Sequence, residues 1–169
     1  MTGICEAAPQ AGTFLLIGLA QALIVSLGDL LYVGIQCVHP ILFVIAACVI
    51  GMVFMMINYA LAFVLGKVGL AISVVIVVLQ VAGSGGTFPP EVLPRIFQSL
   101  YPFMPFRYAL NAMRDCVAGM YGHTYLFSLG ILLLFGVAAT IFGLLLARPG
   151  KKLTDLIDRS LEDNDLIEG

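Results

Sequence analysis

Few side chains in this sequence are equipped for chemistry, and their spacing narrows what they can do. The cysteines are Cys5, Cys37, Cys48 and Cys116, and the only histidines are His39 and His123. Cys37-x-His39 and Cys116-x6-His123 match no familiar zinc spacing, and no Cys-x-x-Cys occurs, so no metal site is expected. A disulfide between Cys37 and Cys116 stays open in an oxidising exterior, with unpaired thiols as the default. No serine, histidine and aspartate fall into a nucleophilic arrangement. A phosphate loop also fails. Around Gly66-Lys67 the pattern needs Gly where Leu61 stands and Ser or Thr where Val68 stands. Gly83-Ser84-Gly85-Gly86 is glycine-rich but carries no lysine. The expectation is a chain with no catalytic residue and no cofactor, hence not an enzyme.

What remains is a small set of polar and glycine positions. Arg107 and Arg114 are seven residues apart and share one helical face. They suit the lining of a path for an anionic or zwitterionic group such as a lipid headgroup, or they simply snorkel at an interface. Asn58 and Gln80 are isolated amides in otherwise apolar runs. They read as pathway residues or as interhelical hydrogen-bond partners. Gly83, Gly85 and Gly86, followed by Thr87, Phe88 and Pro89, read as a hinge or as a plain turn.

Composition sets the medium in which these residues sit. Of 169 residues 61% are hydrophobic and 11% charged, with a mean hydropathy of +1.07. A soluble domain of this length needs a polar skin, and about 25% charge is usual. A soluble globular enzyme and a disordered chain are excluded. A net charge of -2 and a pI near 5.5 give no general attraction to phosphates, which excludes nucleic acid as a partner. An all-α integral membrane protein remains, and the lipid bilayer is its first partner.

Four segments are apolar enough to cross. They are 11–27, 41–65, 68–82 and 125–147, none of which contains a charge. The first, at 17 residues, makes about 26 Å of helix, the low end for a hydrocarbon core of about 30 Å. The third needs turns from its flanking glycines. The last ends at Arg148-Pro149-Gly150-Lys151-Lys152, a stop with breakers and basic charge. Between the third and fourth spans lie five of the eight prolines. Two short helices are expected there, Leu93 to Leu100 and Arg107 to Gly119, joined by Tyr101-Pro102-Phe103-Met104-Pro105-Phe106. Together, over about 87–119, they predict a re-entrant helical hairpin.

Four spans put both ends on one side. The side with the termini and the Gly66-Lys67 turn holds Lys67, Arg148, Lys151, Lys152 and Arg159, against Arg95, Arg107 and Arg114 opposite. Five against three favours cytoplasmic N- and C-termini in a multi-pass protein of the cell membrane. Residues 1–10 form an N-terminal stub without basic charge, which argues against a cleaved signal peptide. So abrupt a start is expected of a fragment of a longer protein. Residues 148–169 form the cytoplasmic tail, with Leu153, Leu156, Ile157 and Leu161 at helical spacing. Ala139, Gly143 and Ala147 make a small-residue stripe for close packing within the chain or between two copies.

The run Leu79-Gln80-Val81-Ala82-Gly83-Ser84-Gly85-Gly86-Thr87-Phe88-Pro89 resembles the C-terminal membrane region of the YhgE/Pip family, within the ABC-2 type permeases. Its continuation through Tyr101-Pro102-Phe103-Met104-Pro105-Phe106 to Met113-Arg114 is similar as well, as are Gln21-Ala22, Gly28-Asp29-Leu30-Leu31 and Gly66-Lys67-Val68-Gly69. The resemblance covers about 11–152. It implies six membrane helices around a large extracellular domain, of which this chain supplies the last four helices and an extracellular hairpin. It further implies the transmembrane component of an export or secretion system, paired with itself or a similar permease chain and driven by a separate ATPase subunit. Roles as a phage receptor, a type VII secretion accessory or an envelope scaffold are implied as the alternative.

Overall fold

The computed structural model describes residues 2–83, 95–119 and 123–165, with side chains described within 12–146, Ile96, Phe97 and Leu100 apart. Helix α1 spans Thr2–Gly28 and runs into a π-helical turn, Asp29–Val33. Helix α2 spans Pro40–Gly83. Helix α3 (Arg95–Leu100) and a 3-10 turn (Tyr101–Phe103) lead to α4, Pro105–Ala118. Helix α5 spans Thr124–Asp165. No strand occurs among the described residues.

Three of these helices are long and apolar enough to cross a membrane: Gly12–Val33, Pro40–Gly83 and Thr124–Leu146. The middle one has 44 residues, about 66 Å if straight, twice what a bilayer of about 30 Å requires. It is not straight. Gly66 adopts φ 57 and ψ -131, outside helical geometry and open chiefly to glycine. A Cβ placed on Gly69 would overlap the Leu61 carbonyl, although eight residues of straight helix would hold the two about 12 Å apart. α2 therefore breaks sharply at Gly66, which brings Gly69 against Leu61 beside the expected Gly66-Lys67 turn.

The helical backbone runs past the expected spans at both ends. α1 begins at Thr2, so the stub is helical. α5 continues through Arg148, Pro149 and Gly150, where a stop is expected. A proline removes one helical N–H and leaves the turns on either side bonded, so it bends a helix more readily than it ends one of this length.

Packing runs through small residues. α2 lies against α1, α4 and α5, and α4 also against α5. Gly51 is so close to α1 that an added Cβ would come within 2.8 Å of the Ala22 side chain. Gly143 of α5 stands in the same relation to Ala60, at 2.9 Å. Gly143 of the expected stripe thus packs α5 against α2 inside the chain. Two apolar clusters hold α4 between α2 and α5. One joins Phe43 and Ala46 to Ala112, Cys116 and Tyr125; the other joins Val53 to Ala109 and Leu132.

Candidate functional site

α4 has 14 residues, about 21 Å, too short to cross a bilayer. Pro105 stands in its first turn, where its missing N–H costs nothing. Pro105, Ala109, Ala112 and Cys116 form its buried stripe, spaced as a helix requires. The opposite face carries Arg107, Asn111 and Arg114.

At the start of α4, aromatic rings collect around one charge. The Arg107 guanidinium lies 4.3 Å from the Tyr101 ring centroid and 5.4 Å from that of Tyr108. This geometry favours the cation by about 0.5–2 kcal/mol, more as water is excluded. The Tyr108 hydroxyl donates to the Pro102 carbonyl at 3.0 Å, which fixes the ring. Tyr108 also meets Phe135 of α5, and Phe106 meets Phe54 of α2 edge-on. The half-buried Arg107 keeps an Nε without a hydrogen-bond partner among the described residues.

At the other end of α4, the connection from α1 caps the helix. The Cys116 carbonyl accepts from the Cys37 thiol at 3.0 Å and from the His39 amide at 3.2 Å. The last carbonyls of a helix lack intrahelical donors, and this pair supplies them. The Tyr125 hydroxyl donates to the Leu42 carbonyl at 3.0 Å. Burial, with Cys37 and Asp115 nearby, pushes the Cys116 thiol up to about 11. It stays protonated and weakly nucleophilic at neutral pH.

A cavity of about 450 Å³ opens between α1, α2 and α4, with Gln21, Asn58, Phe106 and Met113 in its wall. A second, of about 380 Å³, lies beside Phe14, Asn58 and Tyr59. Both are mostly apolar, and Asn58 borders each. Such a lining suits acyl chains or amphipathic molecules better than ions.

The expected site residues are therefore not gathered in one place. Asn58 borders the cavities. Arg107 sits at the aromatic end of α4, and Arg114 is exposed further along it. Gln80 is 8% exposed, and its Oε1 has no hydrogen-bond partner among the described residues, so the expected interhelical bond is not made by that atom. Gly83 is buried at the end of α2, while Gly85, Gly86, Thr87, Phe88 and Pro89, and the start of the expected hairpin, lie outside the described residues. No cluster of three or more His, Cys, Asp or Glu able to hold a metal occurs among the described residues.

Three participants escape the sequence reading. Tyr101 and Tyr108 flank Arg107, and aromatic residues around an arginine at a membrane border are a usable signal. Gln21 is a lone amide in an apolar span, the same signal that singles out Asn58.

No known family profile matches the sequence. No solved structure matches it. The uncharacterized protein YhgE of Bacillus subtilis (strain 168) is 33% identical to it over 131 residues. That match takes in 77% of this chain and 16% of the relative, so the chain spans about a sixth of that curated protein's length.

Proposed function

We propose, from a similarity to YhgE that supports membership of a YhgE-like family, that this chain is transmembrane machinery of an ABC-2-like export or secretion system. The substrate is unassigned. The observation that carries this reading is α4, a helix too short to span that is held between two that are long enough. Such an arrangement is what a re-entrant segment at the mouth of a pathway requires.

The membrane topology in this reading has four spans, with α2 counted as two. The break at Gly66 and the close approach of Gly69 to Leu61 support that count. Both termini lie in the cytoplasm, supported by five basic residues against three. The cavity bordered by Gln21 and Asn58 is the part of the pathway that this chain lines, and Arg107 stands at the hairpin where a negatively charged headgroup would first be met. Two such units, as a homodimer or with a similar permease chain, alternate their exposure. A separate ATPase subunit supplies the energy, and no catalytic step falls to this chain.

One observation favours a second reading, a non-transporting envelope scaffold, phage receptor or type VII secretion accessory. The turn at Gly66-Lys67 is tight and offers an ATPase little surface to grip. Extraction of the intact gene product in mild detergent, followed by mass spectrometry of what co-purifies, separates the two. A stoichiometric nucleotide-binding subunit is the expected result, with no ATP hydrolysis by the membrane protein alone. Envelope or secretion proteins without such a subunit would establish the scaffold.

A further inference from the structure

The capped end of α4 holds two thiols that the transport reading does not use. Cys37 and Cys116 are 79 residues apart in sequence, yet the Cys37 sulfur lies 3.0 Å from the Cys116 carbonyl oxygen. The His39 amide grips the same oxygen at 3.2 Å, so two bonds hold the connection after α1 against the last turn of α4. Both cysteines are free, Cys37 half-buried and Cys116 buried. Tyr125 and Asp115 are the other titratable groups facing Cys116, and His39 lies two residues after Cys37.

We propose that Cys37 and Cys116 are a disulfide-forming pair, an oxidisable staple between the connection that follows α1 and the C-terminal turn of α4. A disulfide needs two sulfurs brought to bonding distance from Cα atoms less than about 7 Å apart. A Cys37 sulfur seated 3.0 Å from the Cys116 carbonyl oxygen is already beside its partner's backbone. Gly119, at φ 98, ends the helix three residues later and gives the last turn freedom to adjust.

The oxidant is a soluble disulfide such as glutathione disulfide, and it reaches the half-buried Cys37 first. The Cys37 thiolate attacks one glutathione sulfur, forming a mixed disulfide and releasing one glutathione, which takes up the proton. Cys116 then loses its proton and attacks Cys37 Sγ, and the second glutathione leaves with that proton. Two protein thiols become one disulfide, and one glutathione disulfide becomes two glutathione thiols. The high pKa of Cys116 makes the second step the slow one. The product ties the connection that follows α1 to the last turn of α4 by a covalent bond.

The test uses the full chain in detergent micelles, equilibrated with glutathione buffers of rising oxidised fraction and quenched with acid. Denaturing alkylation, proteolysis and mass spectrometry then locate each thiol. The expected result is one linked peptide pair containing Cys37 and Cys116, lighter than its parts by two hydrogen atoms. Alkylation of both cysteines is lost in parallel while that of Cys48 persists, and Cys37→Ser abolishes the link. The serine can still donate to the Cys116 carbonyl, so the fold is kept. Glutathione retained on Cys37 with Cys116 still alkylated, a Cys37–Cys37 link between two chains, or no reaction at either thiol would each overturn the proposal.

Discussion

The two halves of α2 bury opposite kinds of residue. Before Gly66 the buried positions are apolar: Phe43, Ala46, Val53, Ala60 and Val64, met by α1, α4 and α5. After Gly66 the buried positions are Gly69, Ser73, Gln80 and Gly83, small or polar and all on one helical face. The outward face of that half is Val74, Val75, Val77, Val78, Leu79 and Val81. A water-soluble helix turns the other way, because apolar surface is what water expels. The second half is stable only where its surroundings are as apolar as valine. There, helices recognise each other by close approach and hydrogen bonds, because burying apolar surface yields little. Surrounded by α1, α4 and α5, the first half can pack as a core does.

The sharpest way to break this contrast is at Gly69. A leucine there would drive its Cβ into the Leu61 carbonyl, which is backbone and cannot rotate aside. Gly69→Leu should leave no monodisperse protein on size-exclusion chromatography in detergent. Val75→Leu, on the exposed face of the same half, should keep the wild-type profile and melting temperature. A folded Gly69→Leu protein would mean that the break at Gly66 does not bring Gly69 against Leu61.

The next effect tests what surrounds the valine face. Val75 is 57% exposed. In water, an arginine there would change stability by roughly 0.5 kcal/mol or less. In the middle of a bilayer it costs about 2.5–3.5 kcal/mol of insertion free energy. Val75→Arg should lower the inserted fraction of this segment in a translocon glycosylation assay by about that amount, and full insertion would remove lipid from this face.

A third effect belongs to the α4 side. The Cys116 thiol is raised from 9.0 to about 11 by burial. Below pH 9 both folded and unfolded chains keep the proton, and stability from this group is flat. Between pH 9 and 11 the unfolded chain releases the proton first, so stability falls as pH rises. The loss approaches roughly 2 kcal/mol by pH 11. Subtracting the melting profile of Cys116→Ala from that of the wild type isolates this slope from other groups titrating in the same range.

How much of this was legible beforehand depended on range along the chain. Long uncharged runs make the long apolar helices readable, and Gly66 marks the break in α2, because both are local properties. Pro105 announced the start of α4 for the same reason. The seat of Cys37 on the Cys116 carbonyl was not legible, because it joins residues 79 apart and uses a backbone acceptor that leaves no trace in residue type. Tyr101 and Tyr108 are not singled out by the sequence pattern, because helical periodicity pairs Arg107 with Arg114 and says nothing of the rings beside it. Pro149 misled in the other direction: as a local breaker it argued for an end, while the helix continues to Asp165.

The smallest effect concerns the residue that decides whether the inward face of α2 is merely packed or is kept polar for use. Gln80 is 8% exposed, and its Oε1 accepts no hydrogen bond among the described residues. A buried carbonyl without a donor costs about 1–3 kcal/mol, and methionine has nearly the same length without that group. If Gln80 only packs, Gln80→Met should raise the melting temperature in detergent, by an amount equivalent to roughly 1 kcal/mol. The rise should be greater than for Asn58→Leu, whose side chain borders the cavities and is less buried. If the native protein fills the Oε1 site with a ligand or another chain, the substitution destabilises the assembled protein while stabilising the isolated chain. Melting both forms of both variants separates the two, and an unchanged melting temperature in every form would mean that Oε1 is already satisfied by water.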